Sequence, residues 1–223
     1  MTVAEAKVLA RRDTYRFGDG PTPCPQPGTT GWTARDLEDP EVERDWVQNR
    51  YELVEGVLTK MPPAYFVGGN CAFNLMTVLR AYSKERGLNF RFAAEGEIII
   101  DELKVLRADG VMLTPADALR QEQAARSVGK SDLKRVRLLV PPTLVIESVS
   151  PGHETHDRET KRLWYGQFQV PNYWLVDAFQ RSLECLRLNG DRYDVDAAGK
   201  QNDVVEPPSF PGLKISLQEI WET

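Results

Sequence analysis

The 223-residue chain has only three cysteines and two histidines, has no excess of positive charge, and contains no apolar run long enough to span a membrane. Each scarcity removes a class of protein. Cys24, Cys71 and Cys185 are odd in number, far apart and without a C-x-x-C spacing, which argues against a zinc site and a disulfide framework and fits a reducing cytoplasm. No stretch nears about 18 uncharged apolar residues, and the opening Met1-Thr2-Val3-Ala4-Glu5-Ala6-Lys7 lacks the apolar core of a signal peptide, so a soluble, cytoplasmic protein is expected, with no membrane partner. A formal net charge of -5 supplies no global positive field, so any contact with nucleic acid must use a local basic surface.

What is present suits one globular core. With 41% hydrophobic and 27% charged residues, the chain can bury a full core but is too short for a second complete domain. Residues 14–31 interleave Pro21, Pro23, Pro25 and Pro27 with Gly18, Gly20, Gly28 and Gly31, which blocks helix and ladder bonding alike and predicts an extended arm. The expected division is an arm with short helices over 1–48 and a folded domain over 49–223. Within the first part, Trp32 to Gln48 predicts one or two short helices interrupted at Pro40, with Thr33 as N-cap.

Tyr51-Glu52-Leu53-Val54 and Val57-Leu58-Thr59-Lys60-Met61, joined by Glu55-Gly56, predict a hairpin. Phe73, Met76, Leu79 and Tyr82 recur at near-helical spacing and place the first long helix between Tyr65 and Arg86. Strands are expected at Asn89–Ala94, Glu97–Asp101, Val105–Leu113, Leu144–Val149, Asn172–Asp177, Leu183–Leu188 and Arg192–Val195, and a polar helix at Pro115–Arg126. Leu144 to Val149 is apolar on both faces, as in a buried central strand, and a helix from about His153 to Phe168 is expected to cover it. The last strands read as antiparallel additions, and a short helix follows Phe210-Pro211-Gly212-Leu213. Ser127 to Lys134 reads as a charged, solvated loop, with a docking surface as the alternative.

Glu147 breaks the apolar run Leu144-Val145-Ile146-Glu147-Ser148-Val149. A carboxylate in a dry site must find a partner, because leaving it unpaired costs free energy that proteins avoid by pairing, protonation or metal binding. Two candidates stand out. Asp109 lies on a strand where alternation puts Arg107, Asp109, Val111 and Leu113 on one face. Lys161 lies on the covering helix, where a 100° wheel gathers Trp164, Phe168, Asp157, Lys161 and Tyr165 into about a third of the circumference. A lysine in that stripe either snorkels outward or points at the carboxylates, with Asp157 one turn earlier helping to hold it. Two carboxylates on neighbouring strands with a nearby lysine form the kind of magnesium site used in phosphodiester hydrolysis. Mg²⁺ takes oxygen ligands at about 2.0–2.1 Å and keeps waters, one of which becomes the nucleophile.

Glu147-Ser148-Val149-Ser150-Pro151, Asp157, Lys161, Tyr165 and Val170-Pro171-Asn172-Tyr173-Trp174-Leu175-Val176-Asp177 resemble the Uma-type endonuclease family, part of the restriction-endonuclease-like PD-(D/E)XK superfamily. The resemblance runs from Tyr51-Glu52-Leu53-Val54-Glu55-Gly56 to Phe210-Pro211-Gly212-Leu213. It implies an α/β fold with a restriction-endonuclease-like core, a mixed central sheet flanked by helices and antiparallel C-terminal strands. It also implies a Mg²⁺- or Mn²⁺-dependent endonuclease acting on DNA, with Asp109, Glu147 and Lys161 as catalytic residues. The metal would be held by Asp109, Glu147 and the backbone carbonyl of Ser148, with Glu52 and Asp157 as accessory residues.

The chain departs from the family pattern at several positions. Val149 stands where the superfamily carries its lysine, Ala108 and Gly110 flank Asp109 in place of Pro and Val, Asn172 replaces a Glu, and Gly68-Gly69-Asn70 replaces a Glu-His pair. Several residues keep two readings. Glu52 is a metal-reaching carboxylate or an exposed hairpin residue, and His153 with His156 is a metal pair or two solvent-facing caps. Tyr173 and Trp174 are core or homodimer-contact residues, or base-stacking ones. Arg80, Lys84 and Arg86 touch phosphates or form a solvated helix end. At the level of function the rival is an inactive nuclease-fold module for DNA binding or dimerisation, and hydrolysis of a smaller phosphoester is a third possibility.

Overall fold

The computed structural model describes residues 26–61, 66–129, 136–152 and 155–221. The predicted arm up to residue 25, His153 and residues 130–135 of the charged loop lie outside them. A 3₁₀ turn at Asp36–Glu38 precedes α1 (Pro40–Asn49), β1 (Tyr51–Val54), β2 (Val57–Lys60), α2 (Phe66–Glu85), β3 (Arg91–Asp101), β4 (Lys104–Leu113) and α3 (Pro115–Ser127). There follow β5 (Leu144–Ser148), a π-helical turn (His156–Lys161) continuing into α4 (Arg162–Gln167), β6 (Asn172–Asp177), β7 (Ser182–Asn189) and β8 (Arg192–Lys200). A pair of two-residue strands, β9 (Val204–Val205) and β10 (Ile215–Ser216), and α5 (Leu217–Trp221) complete the chain. The fold class is mixed α/β, with a largely antiparallel sheet and flanking helices. No helix among the described residues is long and apolar enough to cross a membrane.

The chain forms two compact units. The first comprises the described residues within Met1–Pro63, Glu97–Arg107 and Gln121–Val140. Its β1–β2 hairpin turns through Glu55 and Gly56, both with positive φ (51° and 77°), the geometry that matches the twist of the flanking strands. β1 also pairs antiparallel with β4 at Leu53 and Val105. The two short helical pieces are separated at Pro40 as expected: it occupies the first turn of α1, where its missing N–H is not needed, and Asp39 caps the end by accepting from the Glu41 and Val42 amides. Thr33 is not that cap. Its own N–H and hydroxyl donate to Asp36 at 2.7 and 2.8 Å. Trp32, Leu37, Val42, Trp46, Tyr51, Leu53, Leu58 and Val105 form the apolar core. Beside it the Glu97 carboxylate accepts from Trp46 Nε1 (3.0 Å), Arg107 Nη2 and Arg137 Nε (both 2.6 Å).

The second unit comprises Ala64–Gly96, Ala108–Arg120 and Pro141–Thr223. Its strands run β4-β5-β6-β7-β8, and only β5 and β6 are parallel. A parallel pair needs a crossover, and here the π turn and α4 supply it. β7 and β8 are the expected antiparallel additions, with a bulge between Cys185 and Leu186. α2 packs Cys71, Leu75, Met76 and Leu79 against Met112, Leu144, Ile146, Trp174 and Val176. Alternation along β5 therefore sends Leu144 and Ile146 toward α2, and Val145 and Glu147 to the opposite face. Where the sequence predicts two strands around residues 95 and 96, β3 is continuous, with Glu95 (φ 51°) absorbing the irregularity.

Candidate active site

The strand register sets the site. Gly110 pairs with Ile146 and Val111 with Val145, so one step further along the antiparallel ladder Asp109 stands opposite Glu147. The parallel ladder places Leu175 beside Glu147, and the next places Glu184 beside Leu175. Paired residues share a sheet face, so Asp109, Glu147 and Glu184 lie in one row under the crossover helix.

Glu147 is 2% exposed, and that helix supplies two donors to it. Lys161 Nζ lies 3.2 Å from Oε1, and the Tyr165 hydroxyl donates to the same oxygen at 2.9 Å. Lys161 is 1% exposed, so it does not snorkel. Asp157, one turn earlier, stands 3.8 Å from its ammonium. Asp109 is half-buried, and its Oδ2 accepts the Ser148 N–H at 2.7 Å. The structure thus brings Asp109, Glu147, Ser148, Asp157 and Lys161 together within this unit. The helical stripe expected from the wheel is also present, with Asp157, Lys161, Trp164, Tyr165 and Phe168 all buried.

The helix over the site is wound unusually. His156–Lys161 forms a π turn, a geometry that is rare and concentrated at functional sites. Contacts made by two side chains, Tyr173 and Arg158, pin it to the sheet. Tyr173 donates to the Asp157 carbonyl at 2.8 Å, and Arg158 reaches Asp177 (3.3 Å) and Glu184. Arg158 therefore sits on one acid of the row and Lys161, three residues later, on another.

Burial pushes the Tyr173 phenol well above its usual range, and the charges of Glu147, Asp157 and Asp109 push it further. Burial also raises Tyr193, whose hydroxyl donates to the Val170 carbonyl at 2.6 Å. A group with a raised folded pKa contributes stability that is complete below its unfolded value, about 10 for tyrosine, and is lost as pH rises toward the folded value. Stability should accordingly fall above about pH 10, by about 1.4 kcal/mol per pH unit for each tyrosine. Urea unfolding of Tyr173→Phe and Tyr193→Phe between pH 9 and 11.5 checks this, each variant being expected to show a shallower alkaline loss than the parent.

The carboxylates of Asp109 and Glu147 offer oxygen ligands, which suit a hard cation such as Mg²⁺, and the Ser148 carbonyl would be the further ligand. Among the described residues no cluster of three or more His, Cys, Asp or Glu side chains is arranged to hold a metal. A cation here would accordingly rely on the two carboxylates, the backbone and water, as Mg²⁺ commonly does.

Packing accounts for two of the departures from the family pattern. At Gly110 an added Cβ would come within 2.9 Å of Met76 Sδ, so a valine after Asp109 does not fit without repacking α2. At Gly68 it would come within 2.5 Å of Ser148 Oγ, so a side chain there requires the Ser148 side chain to shift. Val149 is buried at 2%, and the ammonium reaches Glu147 from the helix instead. Asn172 donates to the Thr143 carbonyl at 2.9 Å.

Other residues resolve differently from their alternatives. Glu52, in the first unit, is 0% exposed and accepts the Arg107 N–H at 2.8 Å, so it is not an exposed hairpin residue. His156 is half-buried, edge-on to Trp164 at 6.2 Å, so it is not a solvent-facing cap. Arg80 lies over the Phe92 ring, and Arg86 lies over Tyr82 and donates to the Gly212 carbonyl. Tyr173 and Trp174 are both 0% exposed, so neither offers surface to a second copy or to a base. Sequence reasoning missed the Tyr165 donor, the Asp109 contact with Ser148 and the Arg158 bridge. Of these, Tyr165 had a signal: it lies one turn after Lys161 in the same sector of the wheel.

Comparison with known proteins agrees with this architecture. A search of curated proteins finds no match. A crystal structure of a putative nuclease belonging to DUF820 from Anabaena variabilis ATCC 29413 is similar, with a TM-score of 0.60 and 16% identity over 78% of this chain and 90% of that one. At that identity the likeness establishes the fold. Residues 41–218 match the family model of Uma2, described as a putative restriction endonuclease. That match spans most of the chain, which therefore belongs to the Uma2 family.

Proposed function

We propose that this protein is a metal-dependent endonuclease that hydrolyses DNA phosphodiester bonds, with Asp109 and Glu147 holding Mg²⁺ or Mn²⁺ and Lys161 completing the site. The observation that carries the reading is the buried contact of Lys161 with Glu147 at 3.2 Å, in the same row as Asp109. A structural ion pair alone does not call for a second carboxylate across the ladder, and an ionised pair taken out of water is weak support for stability.

Asp109 and Glu147 would hold the cation from two adjacent strands, with the Ser148 carbonyl as a further ligand. The Ser148 N–H already orients Asp109, so one residue would fix one ligand and supply another. Bound metal would supply Lewis-acid polarisation of the phosphate and a water acidic enough to attack it at neutral pH. Lys161 keeps a positive charge beside Glu147 where the attacked phosphate gains negative charge, and its fixed position costs no reorganisation during reaction. Asp157 and the π turn hold that ammonium in place. Local positive charge of this kind suits an acidic protein, in which the field that attracts DNA cannot be global.

The test uses purified protein with supercoiled and linear DNA. Cleavage is expected with Mg²⁺ or Mn²⁺, is expected to stop with a chelator and to return when metal is restored. Metal-independent DNA binding without cleavage would instead identify an inactive module, and turnover of only small phosphodiesters would identify the other hydrolytic reading.

A further inference from the structure

We propose that Tyr165 is a positioning residue that fixes the orientation of the Glu147 carboxylate for metal binding. The inference rests on the proposed metal-holding role of Glu147. Its basis is that two donors from successive turns of one helix converge on one oxygen, Oε1, with Lys161 at 3.2 Å and Tyr165 at 2.9 Å.

Rotation about the last bond of a glutamate side chain is broad and nearly two-fold, so burial alone does not distinguish the two oxygens. Two donors that select Oε1 do distinguish them, and the carboxylate plane is then set by the helix in the orientation in which Glu147 would hold a cation. The two donors have separate tasks. Lys161 supplies charge, but its ammonium is a compact group on a flexible stem and is shared with Asp157 at 3.8 Å. The Tyr165 hydroxyl is neutral and supplies direction. Its ring is 0% exposed and packs against the Tyr173 ring at 5.2 Å, and Tyr173 in turn is bonded to the Asp157 carbonyl of the π turn. A rigid ring carrying one donor fixes an angle that a lysine cannot. Removing the hydroxyl therefore leaves the charge of the site unchanged and alters only the orientation of a ligand.

Groups that orient a metal ligand typically contribute about 10–100-fold in metal affinity. Mn²⁺ binding to the full chain, measured by calorimetry or by electron paramagnetic resonance, is compared for the parent, Glu147→Gln and Tyr165→Phe. Glu147→Gln is expected to abolish binding, and Tyr165→Phe to weaken it by about 10–100-fold. If Glu147→Gln leaves Mn²⁺ affinity intact, the metal-site reading fails and this inference fails with it. If Glu147→Gln abolishes binding while Tyr165→Phe stays within about twofold of the parent, well short of the effect expected of an orienting group, the positioning role alone is overturned. A second measurement keeps the hydroxyl and so does not depend on the phenylalanine variant folding. With 3-fluorotyrosine at position 165, the ¹⁹F resonance is expected to move on addition of Mg²⁺ and again in Glu147→Gln. A purely structural tyrosine would show no Mg²⁺ response, and that result would also overturn the proposal.

Discussion

Metal-dependent cleavage of DNA is expected to fall by about 10²–10³-fold or more in either Asp109→Ala or Glu147→Gln, the scale seen when one preorganised charge-stabilising group is removed from an active site. Glutamine is chosen at 147 because it keeps the shape of a side chain buried at 2% and can still accept from Lys161 and Tyr165. Alanine is acceptable at 109, where the side chain is half-buried and its described contact is the Ser148 amide. Because the two carboxylates would hold one ion, the double variant should lose little more than the worse single one; groups that act as a unit are strongly non-additive. Initial rates of plasmid nicking at the Mg²⁺ concentration that saturates the parent, with circular dichroism to confirm the fold, measure all three. Hydrolysis that survives both substitutions at the parent rate would remove the site from the mechanism.

The second large effect is on stability. Lys161→Ala is expected to destabilise the protein by about 3–5 kcal/mol, since it removes the ammonium that pairs with a carboxylate only 2% exposed. For a chain of this size that corresponds to a fall in Tm of roughly 6–20 °C. A built-in control exists: Lys214 and Glu206 also stand 3.2 Å apart, but their side chains are 69% and 52% exposed. Lys214→Ala should change stability by no more than about 1 kcal/mol, because an exposed pair gains little over its interaction with water. The pairing distance is the same, and burial, with the added Asp157 contact of Lys161, separates the two outcomes. Adding Glu147→Gln to Lys161→Met should recover much of the loss, because it removes the uncompensated charge. Calorimetric melting of the four variants reads the whole set. Equal small shifts for Lys161→Ala and Lys214→Ala would show that Glu147 is not held as an ionised, buried group.

Much of this arrangement was legible along the chain. The carboxylate within Leu144-Val145-Ile146-Glu147 signalled a partner, because an apolar run of that length is buried and a buried charge is paired. The wheel placed Lys161 in an apolar stripe with Asp157 and Tyr165, and alternation placed Asp109 on one face of β4. The hairpin at Glu55-Gly56 and the strand over Asn172–Asp177 were equally local, since each depends on turn chemistry or on a short apolar run. Pro40 marked the break between the two short helical pieces, while its place in the first turn of α1 was not legible. Proline breaks a helix interior but favours a first turn, and only the Asp39 cap decides between the two.

The sequence by itself determined which groups had to be buried and on which side of each strand or helix they would lie, because period and polarity are local properties. The tertiary structure alone decided what meets what. Whether Asp109 faces Glu147 depends on the register between β4 and β5, where a slip of one residue would send the carboxylate to the other side of the sheet. Whether Lys161 reaches Glu147 depends on a π turn pinned by Tyr173 and Arg158, residues 12 and 3 positions from Lys161 whose contacts have no trace in its own periodicity. Gly68 and Gly110 carry the same lesson. In sequence each is a departure from the family pattern, and in the fold an added side chain there would meet Ser148 or Met76.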